Sequence, residues 1–245
     1  KGNKVVFEPY GYKHITKNAF AAADGKLATV KNVSFEGEHF GIFGGVYGGV
    51  AGRANYNTLF ENVKIINNGI YCYNEAGSIP MSAFSNLGTA TLNNCTITGT
   101  YWVGAKDQNV YAQQCYDNYG ISDIFVPNNI LTHINNSTIG SITVNNHGHL
   151  KVSGTSTVGQ VIAYALVKGS ITVEDGANLT ELNVEQYGPS YAPTIKVSAG
   201  ANITTLQLNN IAKTSKITID DGANISKIIH KGVEYSSIAD FKSSL

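Results

Sequence analysis

The sequence predicts an all-β protein: a single-stranded parallel β-helix solenoid with loop excursions in its N-terminal half and a small C-terminal cap. Three observations predict it. A short aliphatic pattern recurs at coil-sized intervals through the C-terminal half, and a Gly-Ala-Asn tripeptide repeats in phase with it. Val, Ile, Thr and Tyr outweigh the good helix formers, a balance that suits pleated strands.

The pattern is apolar-x-x-apolar-x-apolar. It reads Ile139, Ile142, Val144; Val158, Val161, Ala163; Leu179, Leu182, Val184; Ile203, Leu206, Leu208; and Ile225, Ile228, with His230 in the third place. Successive copies start 19, 21, 24 and 22 residues apart. Alternation of period two sets such side chains on one face of a strand. One strand of this length closes no core, but stacked copies do, each coil burying its row against the next. Coils ~4.8 Å apart align equivalent residues into ladders, and each buried aliphatic contributes roughly 1.5–3 kcal/mol. Gly-Ala-Asn stands at 176–178, 200–202 and 222–224, just before three of the copies. Glycine suits a turn that needs positive φ, and Asn tolerates the same region. A leucine-rich repeat would show a dense Leu-x-x-Leu-x-Leu signature, which is absent.

The N-terminal half repeats more loosely. Lys31–Phe35, Glu61–Ile65, Asn93–Ile97 and Asn135–Ile139 share one form, with its Asn positions 30, 32 and 42 residues apart. These intervals exceed one coil, so loops emerge between them. The reading is one continuous domain over 1–245, with an irregular start or cap at 1–30, loosely repeated coils over 31–135, regular coils over 136–230 and a cap over 231–245. A short helix or loop is expected around Lys17–Ala23, and a short helix or irregular cap over Tyr235–Phe241. His230 suits a terminal coil better than a buried one.

Lys plus Arg and Asp plus Glu number 17 each, and charged residues make up only 14% of the chain. A neutral chain lacks the basic field that nucleic acid or anionic membrane requires. No apolar run approaches the ~20 residues of a membrane span. Cys72, Cys95 and Cys115 are too widely spaced for a CxxC metal pair and read as small core residues. Several of the Asn-x-Ser/Thr sequons at Asn32, Asn94, Asn136, Asn178, Asn202 and Asn224 follow the coil period, so turn chemistry explains them.

The repeated rows resemble the right-handed β-helix of the pectate-lyase-like superfold. Gly41-Ile42-Phe43-Gly44 followed by Asn62-Val63-Lys64-Ile65 is similar to the GLUG-type repeat of bacterial surface adhesins, over residues 40–100, with Ile42 where that repeat usually carries Leu. The enzymes of the superfold imply acidic calcium clusters with an arginine base, or several aspartates with Gly-His-Gly. Here the sole arginine is Arg53, and His147-Gly148-His149 reverses that segment and reads as a turn between coils. Asp175, Asp220 and Asp221 sit beside the repeated glycines and read as turn formers.

The stretch 101–126 breaks the repeat and carries the sole Trp, four Tyr and three Asp. Flat aromatic faces beside amides and carboxylates suit sugars: a ring covers the C–H face and polar groups bind hydroxyls. The candidate ligand-binding residues are Tyr101, Trp102, Asp107, Tyr111, Tyr116, Asp117, Tyr119 and Asp123. The aspartates among them could include a general acid/base pair. No cofactor and no metal are expected. The functional expectation is a non-enzymatic secreted or cell-surface protein, adhesin-like, binding polysaccharide or host glycan. A polysaccharide lyase or glycoside hydrolase with its site at 101–126, and a structural stalk, are the alternatives.

Overall fold

The aliphatic rows of the sequence become strands. The computed structural model describes residues 3–7, 14–20, 27–37, 40–44, 57–67, 84–86, 89–103, 130–145, 148–164, 169–185, 193–211 and 216–245. Along the chain the strands are β1 (Asn3–Phe7), β2 (His14–Phe20), β3 (Leu27–Lys31), β4 (Val33–Gly37), β5 (Phe40–Gly44), β6 (Asn57–Glu61), β7 (Lys64–Asn67), β8 (Phe84–Asn86), β9 (Thr89–Asn93), β10 (Thr96–Val103), β11 (Ile130–Asn135), β12 (Thr138–Asn145), β13 (Gly148–Ser153), β14 (Thr157–Tyr164), β15 (Ser170–Val173), β16 (Asn178–Glu185), β17 (Thr194–Val197), β18 (Asn202–Asn209), β19 (Lys216–Ile219), β20 (Asn224–His230) and β21 (Val233–Tyr235). One helix, α1 (Ile238–Ser244), follows.

Two sheets hold these strands. Sheet A runs β1-β4-β7-β10-β12-β14-β16-β18-β20-β21, with β2, β5 and β8 joining it where β8 pairs with β10. Sheet B runs β3-β6-β9-β11-β13-β15-β17-β19. From β9 onward the chain visits the sheets alternately, and each visit lays a strand parallel to the previous one in that sheet. The molecule is all-β with parallel strands in two sheets, compatible with a β-helix-like solenoid. The pairing of β20 with β21 is antiparallel.

Register aligns the buried residues into ladders. In sheet B, Val30, Phe60, Leu92, Ile134, Val152, Val173, Val197 and Ile219 stack in one row, and all are buried. In sheet A, Phe35, Ile65, Ile97, Ile139, Val158, Leu179, Ile203 and Ile225 form another. Ile142, Val161, Leu182, Leu206 and Ile228 form a third, all buried. The aliphatic pattern spans two of these rows, not one uninterrupted strand face. Pairing skips Gly140, Gly159, Thr180, Thr204 and Ser226, so the x-x of the pattern marks a bend that restarts the alternation.

The corner from sheet B into sheet A is set by residue chemistry. Asn32, Asn62, Asn94 and Asn136 take positive φ there, between 48 and 55°. A short polar side chain tolerates this left-handed geometry better than most. Three later coils enlarge the corner and use Gly176, Gly200 and Gly222, with φ of 78, 77 and 90°. Asn178 and Asn202 then donate side-chain N–H groups to the carbonyls of Gly176 and Gly200, at 2.8 and 3.3 Å. The sequon asparagines described by the structure are therefore corner and strand-entry residues.

One expectation is corrected. Residues 14–20 form β2, paired with β5, so the stretch read as a short helix or loop begins in a strand; Ile15, Phe20 and the neighbouring Thr16 suit pleated pairing. His230 stands on β20, the last of the parallel coils, as expected, and is buried there at 7% exposure. The reason is α1, which lays fully buried Phe241 edge-on to the His230 ring at 5.7 Å and against Tyr235 at the same distance. Ser237 caps this helix: its hydroxyl accepts from the Asp240 N–H at 3.0 Å.

Candidate functional site

Outward residues are presented at the same regular register as the core. On the second half of sheet A, Gln160, Glu181, Thr205 and Lys227 form one row, and Thr143, Ile162, Asn183, Gln207 and Ile229 form the next. Gln160 Nε2 donates to Glu181 Oε2 at 2.8 Å across adjacent strands. Asn209 Nδ2 donates to Asn183 Oδ1 at 3.1 Å, and Gln207 Nε2 to Asn209 Oδ1 at 3.2 Å. These five half-buried side chains hold amides and a carboxylate in a fixed plane across β14, β16 and β18.

Trp102 falls in line with the second of these rows by register. It pairs with Ser85 of β8 and Thr143 of β12, so its row continues through Ile162 to Asn183 and Gln207. Tyr101 occupies the adjoining row, that of Ile142, Val161 and Leu182. Neighbours in sequence thus belong to different rows, because strand residues alternate. Asp107, Tyr111, Tyr116, Asp117, Tyr119 and Asp123 lie outside the described residues, as do Arg53, His147, Cys72 and Cys115.

A second candidate surface lies at the first coils. A groove of about 560 Å³ is lined by Lys4, Asn32, Ser34, Asn62 and Lys64, among others. Lys4, Ser34 and Lys64 share one register row over β1, β4 and β7. Glu36 pairs with Lys4 and accepts from the Ser34 hydroxyl at 3.0 Å. Hydrogen bonds from Lys4 and then Ser34 hold its carboxyl below the usual carboxylate range.

His133 and His149 are built into sheet B. His149 stands in β13, not in a turn, because Gly148 already pairs with Ile130; its Nδ1 lies 2.7 Å from the Ser170 hydroxyl. His133 Nε2 lies 2.7 Å from the Ser153 hydroxyl. Burial, then the nearby Lys151 charge, lowers the pKa of His133, with Glu174 opposing. Cys95 is a free, buried core residue. Burial pushes its thiol up to about 11, so it is not a nucleophile at neutral pH.

Asp221 is fully exposed and pairs with Lys242 at 3.2 Å, and Asp175 is exposed beside Gly200, as turn formers should be. Among the described residues, no group of three His, Cys, Asp or Glu side chains is placed to hold a metal ion. No described helix is long and apolar enough to cross a membrane.

Sequence reasoning missed both the amide plane and the groove. Their residues come from different coils, so only register brings them together. No protein-family model, curated protein or solved structure matches this chain.

Proposed function

We propose that the chain is a secreted or cell-surface, adhesin-like protein, built as a right-handed parallel β-helix of the pectate-lyase-like kind, which binds glycan without cleaving it. The amide–carboxylate plane of Gln160, Glu181, Asn183, Gln207 and Asn209 carries this reading. Its donors and acceptors are pre-positioned by each other and by the strands below, which lowers the ordering cost of binding. Trp102 in the Asn183–Gln207 row supplies the residue type whose flat face suits a sugar ring. The uninterrupted ladder from β1 to β20 favours a structural stalk as the second reading.

The test is incubation with neutral and acidic polysaccharides, scored for bound protein and for newly formed chain ends. Retention without new ends, weakened by Asn183→Ala with Gln207→Ala, is expected. Cleavage abolished by Asp107→Asn, Asp117→Asn or Asp123→Asn would replace this reading with an enzyme. If nothing is retained or cleaved, the stalk stands.

A further inference from the structure

We propose that the groove at the first coils is a subsite for an anionic group: the carboxylate or sulfate of an acidic saccharide. The proposal rests on the glycan-binding reading and adds the class of ligand. Left-handed backbone at Asn32 and Asn62, φ of 55 and 54°, fixes both amides at the groove's edge. Asn62 Nδ2 donates to Asn32 Oδ1 at 3.0 Å, and Asn32 Nδ2 has no acceptor among the described residues.

The charges tell the same story. Two ammonium groups, Lys4 and Lys64, face one carboxylate, Glu36. That carboxylate is already taken by Lys4 and the Ser34 hydroxyl. Lys64 forms no ion pair among the described residues, although its charge helps to hold Glu36 ionised. Among the groups left open, Lys64 Nζ is the charged one, with Asn32 Nδ2 a further donor and Asn62 Oδ1 a neutral acceptor. An unpaired ammonium beside an amide N–H favours an acceptor that carries charge, and a carboxylate or sulfate oxygen is that acceptor. A neutral hydroxyl would gain little from Lys64. The volume of about 560 Å³ falls within the range of small-molecule sites.

The experiment is calorimetric titration of the full chain with an oligogalacturonate, its methyl ester, a sulfated oligosaccharide, a neutral glucan and inorganic sulfate, at low and high NaCl. The acid is expected to bind roughly tenfold tighter than its ester, with the margin eroded by salt. Lys64→Gln should abolish that margin, Lys64→Arg should keep it, and Lys216→Gln on sheet B should leave it unchanged. Equal binding of acid and ester, or a margin that survives Lys64→Gln, overturns the subsite and leaves the glycan reading intact. Binding of the neutral glucan alone does the same. Binding of inorganic sulfate that depends on Lys64, with no saccharide bound, keeps the anion subsite and overturns the glycan reading. Binding of nothing overturns both.

Discussion

Replacing Gly159, Gly176 and Gly232 with alanine separates two costs of stacking coils. An alanine Cβ at Gly159 would sit 2.5 Å from the backbone oxygen of Gly140, while the Gly159 φ lies outside the left-handed region. At Gly232 the φ is +80° and nothing lies within 4 Å. At Gly176 both apply: φ is +78° and the Gly154 oxygen is 2.9 Å away. Left-handed backbone costs an L-residue roughly 1–2 kcal/mol. Overpacking against a rigid neighbour costs roughly 1–3 kcal/mol. Alanine returns roughly 0.4–1 kcal/mol by stiffening the unfolded chain. Gly232→Ala should then lose about 1 kcal/mol or less, Gly159→Ala about 1–2, and Gly176→Ala about 2–4, the largest. Urea denaturation followed by far-UV circular dichroism reads these as shifts in midpoint at constant slope. If Gly232→Ala costs as much as Gly176→Ala, backbone conformation alone governs the corners. If Gly159→Ala costs nothing, adjacent coils are not in contact at the bend. Either result refutes the reasoning.

Three other outcomes follow from single residues. Burial keeps the Cys95 thiol protonated in the folded state up to about pH 11, against an ordinary value of 9.0. Between those values the unfolded chain binds fewer protons, so stability falls with rising pH, by up to about 3 kcal/mol; denaturation from pH 8 to 11 should show a loss that Cys95→Ala lacks. His230 Nε2 is buried without a hydrogen-bond partner among the described residues, so His230→Leu, which extends the Val184–Leu208 row, should raise the melting midpoint by about 1 kcal/mol equivalent. Lys231 and Gly232 form the two-residue hairpin between β20 and β21, both at positive φ; Lys231→Asn, the residue such a turn prefers, should stabilise by about 0.5–1 kcal/mol in the same assay.

The C-terminal coils were legible because their sheet A row repeats every 19 to 24 residues from Ile139 to Ile225. The sheet B row of the first coils, Val30, Phe60 and Leu92, is harder to see. It stands two residues before each corner Asn, but 30 and 32 residues separate its members. A search for apolar-x-Asn would have found it. The first member of the sheet A pattern hides for a different reason. β10 carries an extra residue between Ile97 and Thr100, a bulge that shifts Tyr101 and Val103 out of the apolar-x-x-apolar spacing while keeping them in register with Ile142 and Val144. The groove was illegible in principle: Lys4, Ser34 and Lys64 become neighbours only through the pairing of β1, β4 and β7.

The change of corner chemistry shows how two coil types join without losing hydrogen bonds. The tight Asn corners end at Asn136, and the next coil has Gly154 at φ +60°. A Cβ at Gly154 would lie 2.3 Å from Asn136 Oδ1 and 2.6 Å from Asn135 Oδ1, so glycine is required for the asparagine side chains to fold over it. Asn136 Oδ1 then accepts from the Thr155 N–H at 3.0 Å and from its hydroxyl at 3.3 Å, satisfying the backbone of the longer corner. Beneath it, the Ser137 hydroxyl accepts from the Cys95 N–H at 2.9 Å, and the Ser156 hydroxyl accepts from the Ser137 N–H at 3.2 Å. These serines sit in the row that holds Val63 and Cys95 on one side and Ala177, Ala201 and Ala223 on the other. The row turns polar only at the seam, where buried amides would otherwise be orphaned, an omission that costs about 1–3 kcal/mol each. Stability in a stacked array is a sum over neighbouring interfaces. A polar, fully bonded seam therefore lets the short-cornered and long-cornered coils share one core.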